Sequence, residues 1–175
     1  MILQICDEKS KELVFKSLEN QFPGLSFQKA FKNFQFYHSK DTDYYLIPKA
    51  TEKDLQWCIK HAAKNFVHAG IYLGRMRNEF GLSLEILPLL QQIINEIQDK
   101  EYSIQLDSQE SQKFLYGREM EIKIKTFPLK KVFVLNDYAE LIGLGQIKIK
   151  GENAFLRPII DLGKYIRDEN NLFRI

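Results

Sequence analysis

Gln112-Lys113-Phe114-Leu115-Tyr116-Gly117 ends one kind of structure and starts another. The polar run before it, Asp107-Ser108-Gln109-Glu110-Ser111, reads as a short helical turn. Met120 to Thr126 after it reads as a strand rich in lysine. Between them stands Gly117, whose backbone reaches positive φ with no Cβ to clash, so a helix ends there and the chain reverses. Outward from this point the periodicity of the chain changes. Short strands dominate on the C-terminal side, helices and hairpins on the other.

The strands of the C-terminal part are read at Tyr102 to Leu106, Met120 to Thr126, Val132 to Leu135, Glu140 to Lys150 and Ala154 to Ile160. Pro128, Asn136-Asp137 and Lys150-Gly151-Glu152-Asn153 break them, the last as a hairpin turn. Short strands at regular spacing predict a small barrel or sandwich. Asp161 to Glu169 reads as a short closing helix or turn.

On the N-terminal side, residues 7 to 21 predict a helix capped by Asp7 or Ser10, with Val14, Leu18 and Phe22 on one face. Asn33 to His38 and Tyr44 to Ile47 form a hairpin. Thr51-Glu52-Lys53-Asp54 resembles a capping box and opens a second helix, with Leu55, Cys58, Ile59, Ala62 and Phe66 on its core side. Lys53, Trp57, Lys60 and Lys64 fall opposite. Ala69 to Leu73 and Phe80 to Ile86 predict a second hairpin turning over Gly74 to Glu79. Pro88 starts a third helix, with Leu90, Ile93, Ile94 and Ile97 buried. The polar run Gln98-Asp99-Lys100-Glu101 is the expected boundary, giving domains 1–98 and 99–175. The fold class is α+β: a mixed N-terminal domain on a mainly antiparallel sheet, then a β pseudobarrel.

Of 175 residues, 45% are hydrophobic and 13 are Phe, enough to build cores. No apolar run reaches the roughly 18 residues of a membrane helix, and Met1-Ile2-Leu3-Gln4-Ile5 lacks the basic start of a signal peptide. Cys6 and Cys58 make no disulfide framework and fit a reducing compartment. The net charge is +2, with 12 basic and 11 acidic residues up to Gln98, then 13 and 12 beyond it. Neither half is a basic domain, so nucleic acid would have to meet a local patch.

Three blocks in order carry a resemblance: Phe114-Leu115-Tyr116-Gly117, then Leu141-Ile142-Gly143-Leu144-Gly145, then Gly163-Lys164-Tyr165-Ile166-Arg167-Asp168-Glu169. Together they resemble the PUA domain of the Nip family, assembly factors of the large ribosomal subunit. The likeness covers the last 75 or so residues well and the first hundred in outline. That family usually shows Gly-Asn-His-Val where this chain has Gly117-Arg118-Glu119-Met120, and often proline where Leu141 stands. The resemblance implies a PUA-type pseudobarrel and a non-catalytic RNA-binding factor in pre-rRNA processing on pre-60S particles. Its C-terminal domain would hold pre-ribosomal RNA, and its N-terminal domain would engage other assembly proteins.

The residues themselves offer two candidate surfaces. Lys123 and Lys125, and Lys148 and Lys150, are spaced two apart, so each pair projects from one strand face. With Arg157, and Arg118 beside Gly117, they make an RNA-binding stripe if the two strands are neighbours. They are equally readable as solvated lysines of an antiparallel sheet. Tyr116 is read either as a stacking ring or as core. Trp57, Lys60 and Lys64 form the second surface, a partner contact unless a neighbouring segment covers the indole. Cys58 and His61 lack the further ligands of a metal site, and no cofactor is expected. Gly143-x-Gly145 lacks the third glycine of a dinucleotide loop and suits close backbone approach. The expected protein is a cytoplasmic monomer, nucleolar or nuclear if eukaryotic. An RNA-modifying enzyme or its accessory subunit, and a protein-only adaptor, remain the alternatives.

Overall fold

The structure is a computed structural model describing residues 3–39, 42–62, 70–96, 102–123 and 129–172. The chain divides into two compact units, Met1–Ile86 and Leu87–Ile175.

In the first unit, α1 (Glu8–Gln21) starts at Asp7, whose Oδ1 accepts the Ser10 N–H at 2.8 Å. After the short α2 (Phe27–Ala30), the sheet runs in the order β1 (Gln4–Ile5), β2 (Phe34–Ser39), β3 (Asp43–Pro48), β4 (Ile71–Met76), β5 (Phe80–Leu82). Every neighbouring pair is antiparallel. Both faces are used, because successive side chains of a strand point opposite ways. Phe36 of β2 meets Phe15 of α1 edge-on at 5.2 Å. Tyr37, next along, joins Leu3, Tyr45 and Ile47 on the other face, where Leu55 packs from α3 (Glu52–Ala62). The free edge at β5 is closed by α1: the Phe80 N–H donates to Ser17 Oγ at 2.8 Å, and Gln21 Nε2 donates to the Phe80 carbonyl at 2.9 Å.

Three sequence expectations change here. β4 continues through Gly74 to Met76, and the turn is only Arg77 to Glu79. Gly74 belongs inside the strand because a Cβ there would lie 2.0 Å from the Gly81 carbonyl oxygen. Leu84–Ile86 is a 3-10 turn, not the end of a strand, since pairing with β4 stops once the Ser83 N–H has bonded Leu73 O. Thr51 closes a 3-10 turn (Lys49–Thr51) instead of capping: its hydroxyl donates back to Pro48 O at 3.0 Å.

The second unit begins with α4 (Leu87–Glu96). The chain was expected to divide at Gln98 to Glu101, which would have put this helix in the first unit. Residues 97–101 lie outside the described residues. α4 packs on β9 (Leu141–Lys150), and Gln91 Oε1 accepts the Leu141 N–H. The sheet order is β6 (Ser103–Gln105), β8 (Lys131–Leu135), β9, β10 (Asn153–Asp161), β7 (Met120–Ile122). Only β6–β8 is parallel. The sheet curls as a half-barrel around Ile104, Leu106, Val132, Val134, Ile147 and Leu156, with Phe114 of α5 (Ser108–Leu115) closing the core. α6 (Gly163–Leu172) follows β10. Ile147 is buried but Ile149, two residues on, is 63% exposed, because β9 has outrun that core near its hairpin end.

Candidate nucleic-acid interface

The candidate surface depends on how α5 ends. Asp107 opens the helix with a full capping box: its carboxylate accepts the Glu110 N–H, and Glu110 accepts the Asp107 N–H. At the other end Gly117 takes φ +74, its N–H donates to Phe114 O at 2.8 Å, and the Arg118 N–H donates to Lys113 O at 3.2 Å. That is a Schellman stop. The Leu115 carbonyl is taken by the Arg167 guanidinium of α6, which also pairs in two bonds, 2.8 and 3.0 Å, with the buried Asp161. Hydrogen bonding to Asp161, with the charges of Asp161 and Asp168, raises the Arg167 pKa above its ordinary value.

The three sequence blocks therefore meet in space. A Cβ on Gly163 would lie 1.9 Å from the Leu115 carbonyl oxygen. One on Gly143 would lie 2.1 Å from Ile160 O and 2.8 Å from the Phe114 ring. These glycines are the places where β9, α6 and the C-terminal end of α5 touch, so the side chains on either side of Gly117 are carried on a backbone that three elements hold.

Those side chains face out. Tyr116 is 59% exposed, and the Arg118 guanidinium lies 5.9 Å from its ring centroid. The next residue, Glu119, leads onto the sheet face. β10 separates β7 from β9: Phe155 stands opposite Lys148 on one side and Glu121 on the other, and Arg157 stands opposite Gln146. Lys150 Nζ bonds Glu119 Oε1 at 2.8 Å and sits 4.6 Å from the Phe155 ring centroid. Hydrogen bonding to Lys150 lowers the pKa of Glu119, and the charges of Lys150, Lys148 and Arg157 add to this. Lys150 therefore bonds the Glu119 carboxylate, and the charges of Lys148 and Arg157 reach it from farther off.

The four-lysine stripe does not form as expected. It required the strands of Lys123 and Lys148 to be neighbours, and β10 runs between them. Lys123 is exposed just beyond β7, while Lys125 lies outside the described residues. The face is mixed instead: three cations, two glutamates and a phenylalanine. Glu119 and Glu121 escaped the sequence reading although they share the two-residue spacing of Lys123, the signal that would have found them. The second surface is on α3. Trp57 is 64% exposed, and Lys60 is exposed beside it; Lys64 lies outside the described residues. The Trp57 and His61 rings stack 4.6 Å apart at 25°.

Residues 102–170 match a protein family described as the UPF0113 PUA domain. The match lies wholly within the second unit, and this region is a PUA domain. A solved structure of a conserved PUA domain protein from Thermoplasma acidophilum has the same overall fold, with TM-score 0.53 and 11% identity over 95% of this chain and 99% of that one. No curated protein matches the chain.

Proposed function

We propose that this protein is a non-catalytic RNA-binding assembly factor of the large ribosomal subunit. The observation carrying the RNA part is the surface that runs from Tyr116 and Arg118 through Glu119 to Lys150, Phe155, Lys148 and Arg157, on a domain matching a PUA family. Lysine ammonium groups are flexible point charges that follow a phosphate backbone, while guanidinium and aromatic rings present flat faces to bases. Lys148, Lys150 and Arg157 hold the backbone in this reading, with Lys123 adding charge just beyond β7. Tyr116 and Arg118 meet a base, so Arg118 influences which sequence is preferred. Binding brings no chemical step. The ribosomal part, and its placement in pre-rRNA processing, rest on the resemblance of the three blocks to the Nip family.

Crosslinking in cells followed by sequencing of the attached RNA tests this reading. Crosslinks should fall on large-subunit rRNA and its precursors, and depletion should lower mature large subunits. Crosslinks confined to transfer RNA would point to an RNA-modification role instead, and no RNA crosslink at all would favour the protein-only adaptor.

A further inference from the structure

No matched family reaches the first unit, and its described surface carries one large aromatic side chain exposed beyond half its area, Trp57. The geometry points to Trp57 and His61 as a stacking platform for an unpaired base of single-stranded nucleic acid, a second contact distinct from the sheet face. It rests on the RNA-binding reading of the second unit but uses none of that unit's residues.

The rings lie one helical turn apart, with centroids 4.6 Å apart and planes inclined at 25°. His61 Nδ1 lies 2.8 Å from the Trp57 carbonyl oxygen, a bond that takes the Nδ1–H as donor and fixes the imidazole against the indole. One face of the indole is thus backed by a ring, and the residue remains 64% exposed. On the same side of α3, Lys53 stands four residues before Trp57 and Lys60 three after it; both are exposed, and among the described residues neither forms an ion pair. Asp54 is the acidic neighbour on that side. A backed ring between two ammonium groups matches a base and its flanking phosphates: stacking tolerates any base, and lysines follow the backbone.

A protein partner suits this face less well. Specific protein interfaces bury about 800 Å² on each side around an apolar centre. The described neighbours of Trp57 on this side, Lys53, Asp54, Lys60 and His61, are polar or charged. The other large hydrophobics exposed among the unit's described residues, Ile5 and Leu13, belong to β1 and α1. Among the described residues the ring has no apolar surround, and one ring is enough for one base.

Trp57 is the only tryptophan in the chain, so its fluorescence reports on this position alone. The experiment titrates the full chain with a ten-nucleotide oligouridylate, reading tryptophan emission and, with a labelled oligomer, anisotropy. The chain with Lys148, Lys150 and Arg157 changed to alanine and a Trp57→Leu variant are run alongside, and inorganic polyphosphate serves as a baseless polyanion. RNA should quench the emission saturably and polyphosphate should not. The triple variant should keep the quenching, and Trp57→Leu should bind about tenfold more weakly. Anisotropy showing RNA binding with unchanged emission, and with full affinity in Trp57→Leu, would overturn the platform while leaving the second unit's RNA site standing. Emission and anisotropy both unmoved would overturn the platform together with the RNA reading it rests on. Quenching by polyphosphate equal to that by RNA would also overturn it, since stacking requires a base.

Discussion

Two surfaces of this molecule pair lysines with an aromatic ring, and they differ in what the lysines are already doing. On the sheet face of the second unit, Lys150 is held by Glu119 and lies over Phe155. On α3 of the first unit, Lys53 and Lys60 stand beside a stacked Trp57–His61 pair without ion pairs among the described residues. The sheet face is assembled from distant parts of the chain, and an arriving phosphate must displace a carboxylate. The helix face is local, spanning little more than two turns. A surface built from long-range contacts can be lost by changing its frame, whereas a local one is lost only by changing its own residues.

The largest expected effect attacks that frame. In Gly143→Ala the new methyl meets the Ile160 carbonyl, a backbone atom that cannot rotate away, so roughly 3 kcal/mol of stability should be lost. Hydrogen exchange should show β9 and β10 loosening while β2 and β3 keep their protection. Equal loosening in both units would mean that the sheet face depends on no frame of its own.

Arg167→Ala comes next. It strips the Leu115 carbonyl of its partner and leaves the buried Asp161 unpaired, for a loss of roughly 2 kcal/mol, measured by urea unfolding. A loss below about 0.5 kcal/mol would mean that Gly117 alone ends α5.

Asp43→Asn tests the support beneath α3. Hydrogen bonding from Arg75, at 2.5 and 2.9 Å, and from Tyr72 lowers the Asp43 pKa below its ordinary 3.8. Tyr72 packs on the same cluster as Leu55 of α3. A carboxyl whose folded pKa is depressed contributes stability above its unfolded pKa and loses it as pH falls through the folded one. The variant should be roughly 1 kcal/mol less stable at pH 7, and the gap should close below the ordinary value. A gap that persists undiminished in acid would show that charge is not the cause.

These changes also mark how far the sequence could be read. The α1 cap at Asp7, the β2–β3 hairpin, the Gly117 stop and the Lys150–Asn153 turn were all legible, because each rests on local chemistry within a few residues. The position of β10 between β7 and β9 was not, since pairing order is set by what the core must bury and by connections elsewhere. The stripe went wrong for that reason: Lys148 and Lys150 lie on β9 as read, but Lys123 lies just beyond β7, and β10 separates the two strands. Trp57 was placed opposite Leu55 by helical spacing alone, and its exposure agrees. Its stack on His61 needed rotamers that spacing does not fix.

The smallest effect sharpens the contrast most finely. Glu119→Gln leaves Lys150 without its carboxylate partner, which removes a competitor for phosphate. An exposed pair of this kind is weak and screened by salt, so RNA affinity should rise by a few-fold at low salt and the gain should fade as salt is added. Reduced affinity would mean that Glu119 itself contacts the ligand.

In the proposed function the β9–β10 face of the second unit holds RNA phosphates. Its most direct test is the affinity for a structured RNA across salt, in the native chain and in one with Lys148, Lys150 and Arg157 changed to alanine. Every phosphate that a removed cation no longer neutralises should flatten the slope of log affinity against log salt by about 0.7 to 0.9. The triple variant should therefore bind more weakly, with a slope shallower by about 2. Unchanged affinity and slope in that variant would contradict the claim and move the RNA off this face.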